Sequence, residues 1–103
     1  MIARVWRGWT RPHDADAYAE FLSAQLFPAV AARVPGFRGG DVLQRHEDSE
    51  VEFLVVTFFD SLDDVRSFAG DRIEAPVIEP EAARLLIRGD ERVEHYDVSS
   101  RAP

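Results

Sequence analysis

The chain has 103 residues, 46% of them apolar and 30% charged, which bounds it to one globular domain, residues 1–103, with a small core. It has no cysteine, so disulfides, thiolate chemistry and cysteine-ligated zinc or iron–sulfur sites are excluded, and a reducing cytoplasm is the setting this composition fits. A net charge of −7 argues against nucleic acid; all twelve basic residues are arginine, so no lysine is present to form a Schiff base; and no apolar run nears the ~20 residues that span a membrane.

Ile2 to Thr10 (IARVWRGWT) reads as a strand rich in branched and aromatic residues. Ile2, Arg4, Trp6 and Gly8 share one face, and Ala3, Val5, Arg7 and Trp9 the other. Neither face is plainly wet. Gly8, between two tryptophans, leaves room for a bulge or for close approach of a neighbour. Arg11 to Asp14 is a connection, with Asp14 placed to cap a helix. Tyr18, Phe21, Leu22, Leu26, Ala29 and Val30 then recur at helical spacing as one apolar stripe. Pro28 predicts a kink or split near Phe27, and Pro35-Gly36 a stop.

Phe37 to Asp48 (FRGGDVLQRHED) reads as a strand with a weak start at Gly39-Gly40, placed at an edge or against a partner. Asp48-Ser49 turns it into the most apolar run of the chain, Val51 to Phe59. There Val51, Phe53, Val55, Thr57 and Phe59 face one way, and Glu52, Leu54, Val56 and Phe58 the other. Ser61 can cap the next helix, with Asp64 three residues on. Leu62, Val65, Phe68 and Ala69 form its buried stripe, and Gly70 ends it. Asp71 to Pro80 is irregular and packs over something. Glu81 to Arg88 reads as a short helical turn, Gly89-Asp90 as a turn, Arg92 to Val98 as the last strand, and the rest as a frayed tail.

The order is β-α-β-β-α-β. Right-handed crossovers put the first and third strands side by side at the centre of a four-stranded antiparallel or mixed sheet. These are the two strands that are apolar on both sides. A ferredoxin-like α+β sandwich follows, with helices on one face. The other face carries Trp, Val and Phe, which predicts a homodimer pairing sheet against sheet.

The pieces IARVWRG, VPGFRG, FLVVTFFDSLDDVRSFAG and VEHYDV, spanning residues 2 to 98, resemble antibiotic-biosynthesis-monooxygenase-type domains of the dimeric α+β barrel group. The resemblance implies an enzyme that oxygenates an electron-rich aromatic or polyketide-like small molecule without metal or organic cofactor. The deprotonated substrate itself would reduce dioxygen, in a dry aromatic pocket with one or two basic groups. A cyclase or isomerase of the same fold, or a non-catalytic ligand-binding or accessory dimer, are the alternatives. Phe59 stands where the family usually has tryptophan, so that position lacks an indole N–H donor. The haem-degrading branch wants an Asn on strand one, that tryptophan, and a His after the second helix; all three are missing.

Under this reading His95, flanked by Glu94 and Tyr96, is the favoured general base, and His46 the second candidate. Arg4, Trp6, Phe58, Phe59 and Tyr96 are the candidates to hold the substrate, with Arg4 fit for a phenolate or carboxylate. The competing structural readings are a histidine hydrogen-bonded within the fold, an arginine paired to an acid, and aromatics that are plain core. His13 lies in a polar connection, and Asp60 belongs to the turn before the second helix. No metal-ligand spacing and no phosphate-binding loop are present. EPEAAR, residues 79–84, reads as a solvated acidic face.

Overall fold

The computed structural model describes all 103 residues, Met1–Pro103. Its strands are β1 (Ile2–Thr10), β2 (Phe37–His46), β3 (Val51–Phe59), β4 (Leu86–Gly89) and β5 (Glu94–Asp97). Its helices are α1 (Ala15–Glu20), α2 (Phe27–Arg33), α3 (Leu62–Ala69) and α4 (Pro80–Ala83). The sheet order is β2-β3-β1-β4, with β5 also on β1, and every pairing is antiparallel. The ferredoxin-like α+β reading is borne out, with β1 and β3 at the centre.

Side-chain alternation assigns the faces. Arg4 lies opposite Thr57, Trp6 opposite Val55 and Gly8 opposite Phe53. These residues face the helices. Val51, Phe53, Val55 and Phe59 on that face are all buried. Tyr18, Phe21 and Leu22 cover Phe53 and Val55, with Tyr18 edge-on to Phe53 at 4.8 Å between ring centres. Val30, Val34 and Val65 close a second cluster around Phe59.

The first long helix is not one α-helix. Phe21–Leu26 between α1 and α2 is π-helical, and the Phe27 N–H donates to the Leu22 carbonyl five residues back. Proline in an α-helix crowds the carbonyl four residues before it, here Ala24. The widened turn contains that residue and relieves the crowding. The extra residue also shifts the phase of the stripe. Val30 and Val34 are buried while Ala29 is exposed, so Ala29 does not belong to the stripe as expected. Asp14 makes no capping hydrogen bond and sits in a 3₁₀ turn, Pro12–Asp14. Ser61 does cap α3, accepting the Asp64 N–H at 3.3 Å. Leu62, expected in the buried stripe of α3, is 38% exposed at the helix's first position.

The fourth strand is the larger departure. Leu86–Gly89 is strand, where Glu81 to Arg88 was expected as a helical turn and Gly89-Asp90 as a turn, and only Pro80–Ala83 is helical. β4 lies along Gly8–Thr10 and β5 along Ile2–Val5. Between them Asp90–Val93 loops out opposite only Trp6 and Arg7. The edge strand is therefore one line in two pieces. The loop, and the irregular strap of residues 71–79 that leads into α4, are tied down by two backbone bonds. The Asp90 N–H donates to the Arg7 carbonyl and the Val93 N–H to the Glu74 carbonyl, both at 2.8 Å. No helix is long and apolar enough to cross a membrane.

Candidate functional site

A pocket opens between the helices and the sheet. Its floor is Arg4, Trp6, Val55 and Thr57, its helix wall Tyr18, Phe21 and Leu22, and its roof the strap residues Pro76–Glu79. Its cavity volume is about 60 Å³, and it is open to solvent at its mouth. Hydrophobic residues supply 11 of the 15 that line it, so its few polar groups set what it can recognise.

Trp6 is fixed by two devices. A Cβ at Gly8 would come within 2.6 Å of the Trp6 ring, and one at Gly89 would overlap it as well. The indole therefore lies across this cross-strand glycine pair, which is the close approach that Gly8 permits. Its Nε1–H donates to the Asp90 carbonyl at 2.8 Å, inside the looped-out segment.

Arg4 is the charged centre of the pocket. It is 5% exposed, and it pairs with no carboxylate in the protein. Its Nη1 donates to the Ile73 carbonyl at 2.6 Å and to His95 Nε2 at 3.1 Å; its Nη2 donates to the Ala75 carbonyl at 3.1 Å. The guanidinium carbon stands 5.5 Å from the centre of the Phe68 ring. Burial lowers the Arg4 pKa to about 10, so the group stays charged at neutral pH. Two of its bonds hold the strap over the pocket, so this one side chain serves as floor and as clasp.

His95 lies directly opposite Arg4 across the β1–β5 pair. Arginine has no acceptor atom, so Arg4 donates and His95 Nε2 presents its lone pair. The neutral ring then carries its proton on Nδ1. Burial, and after it the Arg4 charge, lower the His95 pKa, against a smaller upward pull from Glu74 and Glu94. His95 is not on the pocket wall. It stands behind Arg4 with its basic atom occupied.

Strand alternation separates the other expected residues. Trp6 joins Arg4 on the pocket floor. Phe59 faces the helices but is fully buried in the second core cluster. Phe58 and Tyr96 lie on the opposite sheet face, where Arg101 stacks 4.4 Å from the Phe58 ring centre and Tyr96 is 58% exposed. Phe58 and Phe59, as neighbours on one strand, cannot both face one pocket. His46 is exposed at the end of β2.

Three wall residues were not singled out from the sequence. Tyr18 is 2% exposed and makes no hydrogen bond, although no fully enclosed side-chain oxygen or nitrogen of the protein lacks a partner. Its hydroxyl therefore meets open space, and the pocket is what its side chain lines. Burial raises its pKa further above the usual phenol value. Thr57, opposite Arg4, also lines the pocket with no hydrogen bond. Glu79 lines the roof, half-buried, in no ion pair or hydrogen bond. The available signal for Thr57 was a polar residue in the apolar run on the same face as Val55.

No family model matches this chain, and no curated protein does. Solved structures do. A candidate antibiotic biosynthesis monooxygenase from Bacillus cereus superposes with a TM-score of 0.67 at 13% identity, covering 99% of this chain and 96% of that one. Rv0793 from Mycobacterium tuberculosis gives 0.60 at 18% identity, covering 99% and 98%. A mutant of MhuD with two manganese protoporphyrin IX molecules bound per active site gives 0.56 at 17% identity, covering 100% and 99%. The chain thus carries, over its full length, the ferredoxin-like α+β fold of antibiotic biosynthesis monooxygenase-type structures.

Proposed function

We propose that the pocket is the active site of a cofactor-independent monooxygenase acting on an aromatic or polyketide-like small molecule. The observation that carries this reading is a mostly apolar chamber holding one buried arginine without a carboxylate partner and one unpaired carboxylate, Glu79. Apolar walls exclude water and hold a ring, while the two charges can separate a proton from it. In this reading a CH₂ carbon flanked by aromatic rings gives a proton to Glu79, and Arg4 holds the resulting oxyanion. The carbanion passes one electron to dioxygen, and the two radicals join in a C–O bond. The peroxide takes up a proton. Loss of the second C–H proton breaks the O–O bond, releasing water and leaving a carbonyl. Substrate CH₂ and O₂ become C=O and H₂O, and all the electrons come from the substrate.

Glu79 is favoured over His95 as proton acceptor because its oxygens are on the wall and free. His95 is the positioning residue that helps aim Arg4. Oxygen uptake with a panel of anthrones and hydroquinones tests the reading. Glu79→Gln should lower kcat by about 10²- to 10⁴-fold, and His95→Ala by less. The reverse order would make His95 the base, and no uptake with any member would reject the oxygenase. A second reading, a binding protein without turnover, is favoured by the occupied lone pair of His95; tight binding without oxygen uptake would establish it. A cyclase or isomerase would change the substrate with no oxygen consumed.

A further inference from the structure

We infer that Arg4 makes the pocket selective for aromatic ligands that carry one anionic oxygen group, a phenolate, enolate or carboxylate. This rests on reading the pocket as a small-molecule site, but not on any reaction taking place there. Guanidinium has five N–H donors, and protein acceptors engage three of those on Arg4. The Nε–H and one Nη2–H remain free to donate to an oxyanion. Nε has no protein acceptor, and no fully enclosed side-chain nitrogen here lacks one, so Nε reaches open space. All three existing acceptors are neutral: two carbonyls and a neutral imidazole. The charge itself is uncompensated at 5% exposure. A buried cation left in that state is costly, and a ligand anion relieves the cost.

The surroundings favour one charge on a flat apolar body. Phe68 lies against the guanidinium, Phe21 and Trp6 line the same pocket, and the unpartnered hydroxyls of Tyr18 and Thr57 are further polar groups on its wall. Glu79 is the one carboxylate on the wall, and it makes no ion pair with Arg4. It disfavours a dianion while tolerating a single charge held at the floor. The net charge of −7 gives no long-range attraction to an anion, so selectivity must come from contact inside the pocket.

The test is binding of three probes to the Trp9→Phe protein, in which Trp6 is the one remaining tryptophan, read by quenching of its fluorescence. 2-Naphthoate carries its charge as carboxylate, 4-nitrophenolate carries it as phenolate, and 2-naphthamide is neutral. The proposal expects 2-naphthoate to bind at least about tenfold more tightly than 2-naphthamide. It also expects the protein to lower the apparent pKa of bound 4-nitrophenol, seen in its absorbance. Response of one anion alone tells which oxygen chemistry the site takes. Arg4→Gln should erase the preference while 2-naphthamide still binds, and Arg4→Lys should restore part of it. Should Arg4→Gln fail to fold, the comparison of probes with Arg4 in place still decides. Equal binding of 2-naphthoate and 2-naphthamide overturns anion selectivity and leaves the pocket reading standing; binding of no probe overturns both.

Discussion

Arg4 shows how one side chain can be read two ways until its neighbours are placed. On a strand between apolar residues, an arginine is expected to find an acid, and the sequence offers nineteen acidic residues. None pairs with it. Instead it clasps a strap through two carbonyls and turns its charge toward a pocket. His95 is held by that arrangement, and its titration should report it. The folded pKa lies below the ordinary 6.5. Between those two values the unfolded chain binds the proton and the folded chain does not. Stability from this group is therefore full above about pH 6.5 and is lost as pH falls through the folded pKa. Thermal melts from pH 8 to pH 5 should show the wild type losing more stability than His95→Gln does. Parallel curves would mean that neither burial nor the Arg4 charge disfavours the His95 imidazolium in the folded chain. The shared face of Arg4 and Trp6 was legible from alternation; the face of His95 was not, because bulges can shift the phase of a strand. That Trp6 would be pinned over Gly8 and Gly89 was not, because Gly89 lies in a strand where the sequence pattern gives a turn, Gly89-Asp90.

The cap at Ser61 and the long apolar strands β1 and β3 came through, while the Asp14 cap and the short strand β4 did not. Ser61 followed by Asp64 is a capping pattern, and Ser61 Oγ both accepts the Asp64 N–H and donates to its carboxylate at 2.8 Å. Removing the hydroxyl with Ser61→Ala should cost about 1 kcal/mol. For a domain of this size that lowers the melting temperature by about 4–8 °C. An unchanged melt would mean that Asp60, held in place by Arg38 through two hydrogen bonds, fixes the start of the helix without the cap. Residues 86–89 illustrate the opposite case. LIRG has no strong preference, and it becomes strand because the free edge of β1 at Gly8–Thr10 needs a partner for its backbone groups. The π-helical turn is intermediate: Pro28 announces a kink or split near Phe27, and the split is taken as a widened turn, Phe21–Leu26, which changes which residues face the core.

At the scale of the whole molecule, the helices account for one face of the sheet only. The other presents Val5, Trp9, Leu54 and Val56, all half-buried, beside Leu43 at 50% and Tyr96 at 58% exposure. Arg88 stacks on Trp9 and Arg101 on Phe58, so two cations cover part of this surface from above the rings. The central strands, apolar on both sides, are what made this face readable from the sequence; what covers it lies outside one chain. We propose that a second copy does, in a two-fold pairing of the two outer faces. Leu54 lies at the centre, opposite Arg7 on β1 and Leu43 on β2. A two-fold axis places any change at this position twice in the interface. Leu54→Asp would bury two carboxylates without partners, costing about 3 kcal/mol or more, a loss of at least about a hundredfold in dimer affinity. The pocket is on the other side of the sheet, so probe binding should survive in the variant. Sedimentation equilibrium should find the wild type at twice the 11.6 kDa chain mass and Leu54→Asp at the chain mass itself. A wild type that stays at 11.6 kDa as its concentration rises would leave this face to water, with the arginines on Trp9 and Phe58 as its only cover.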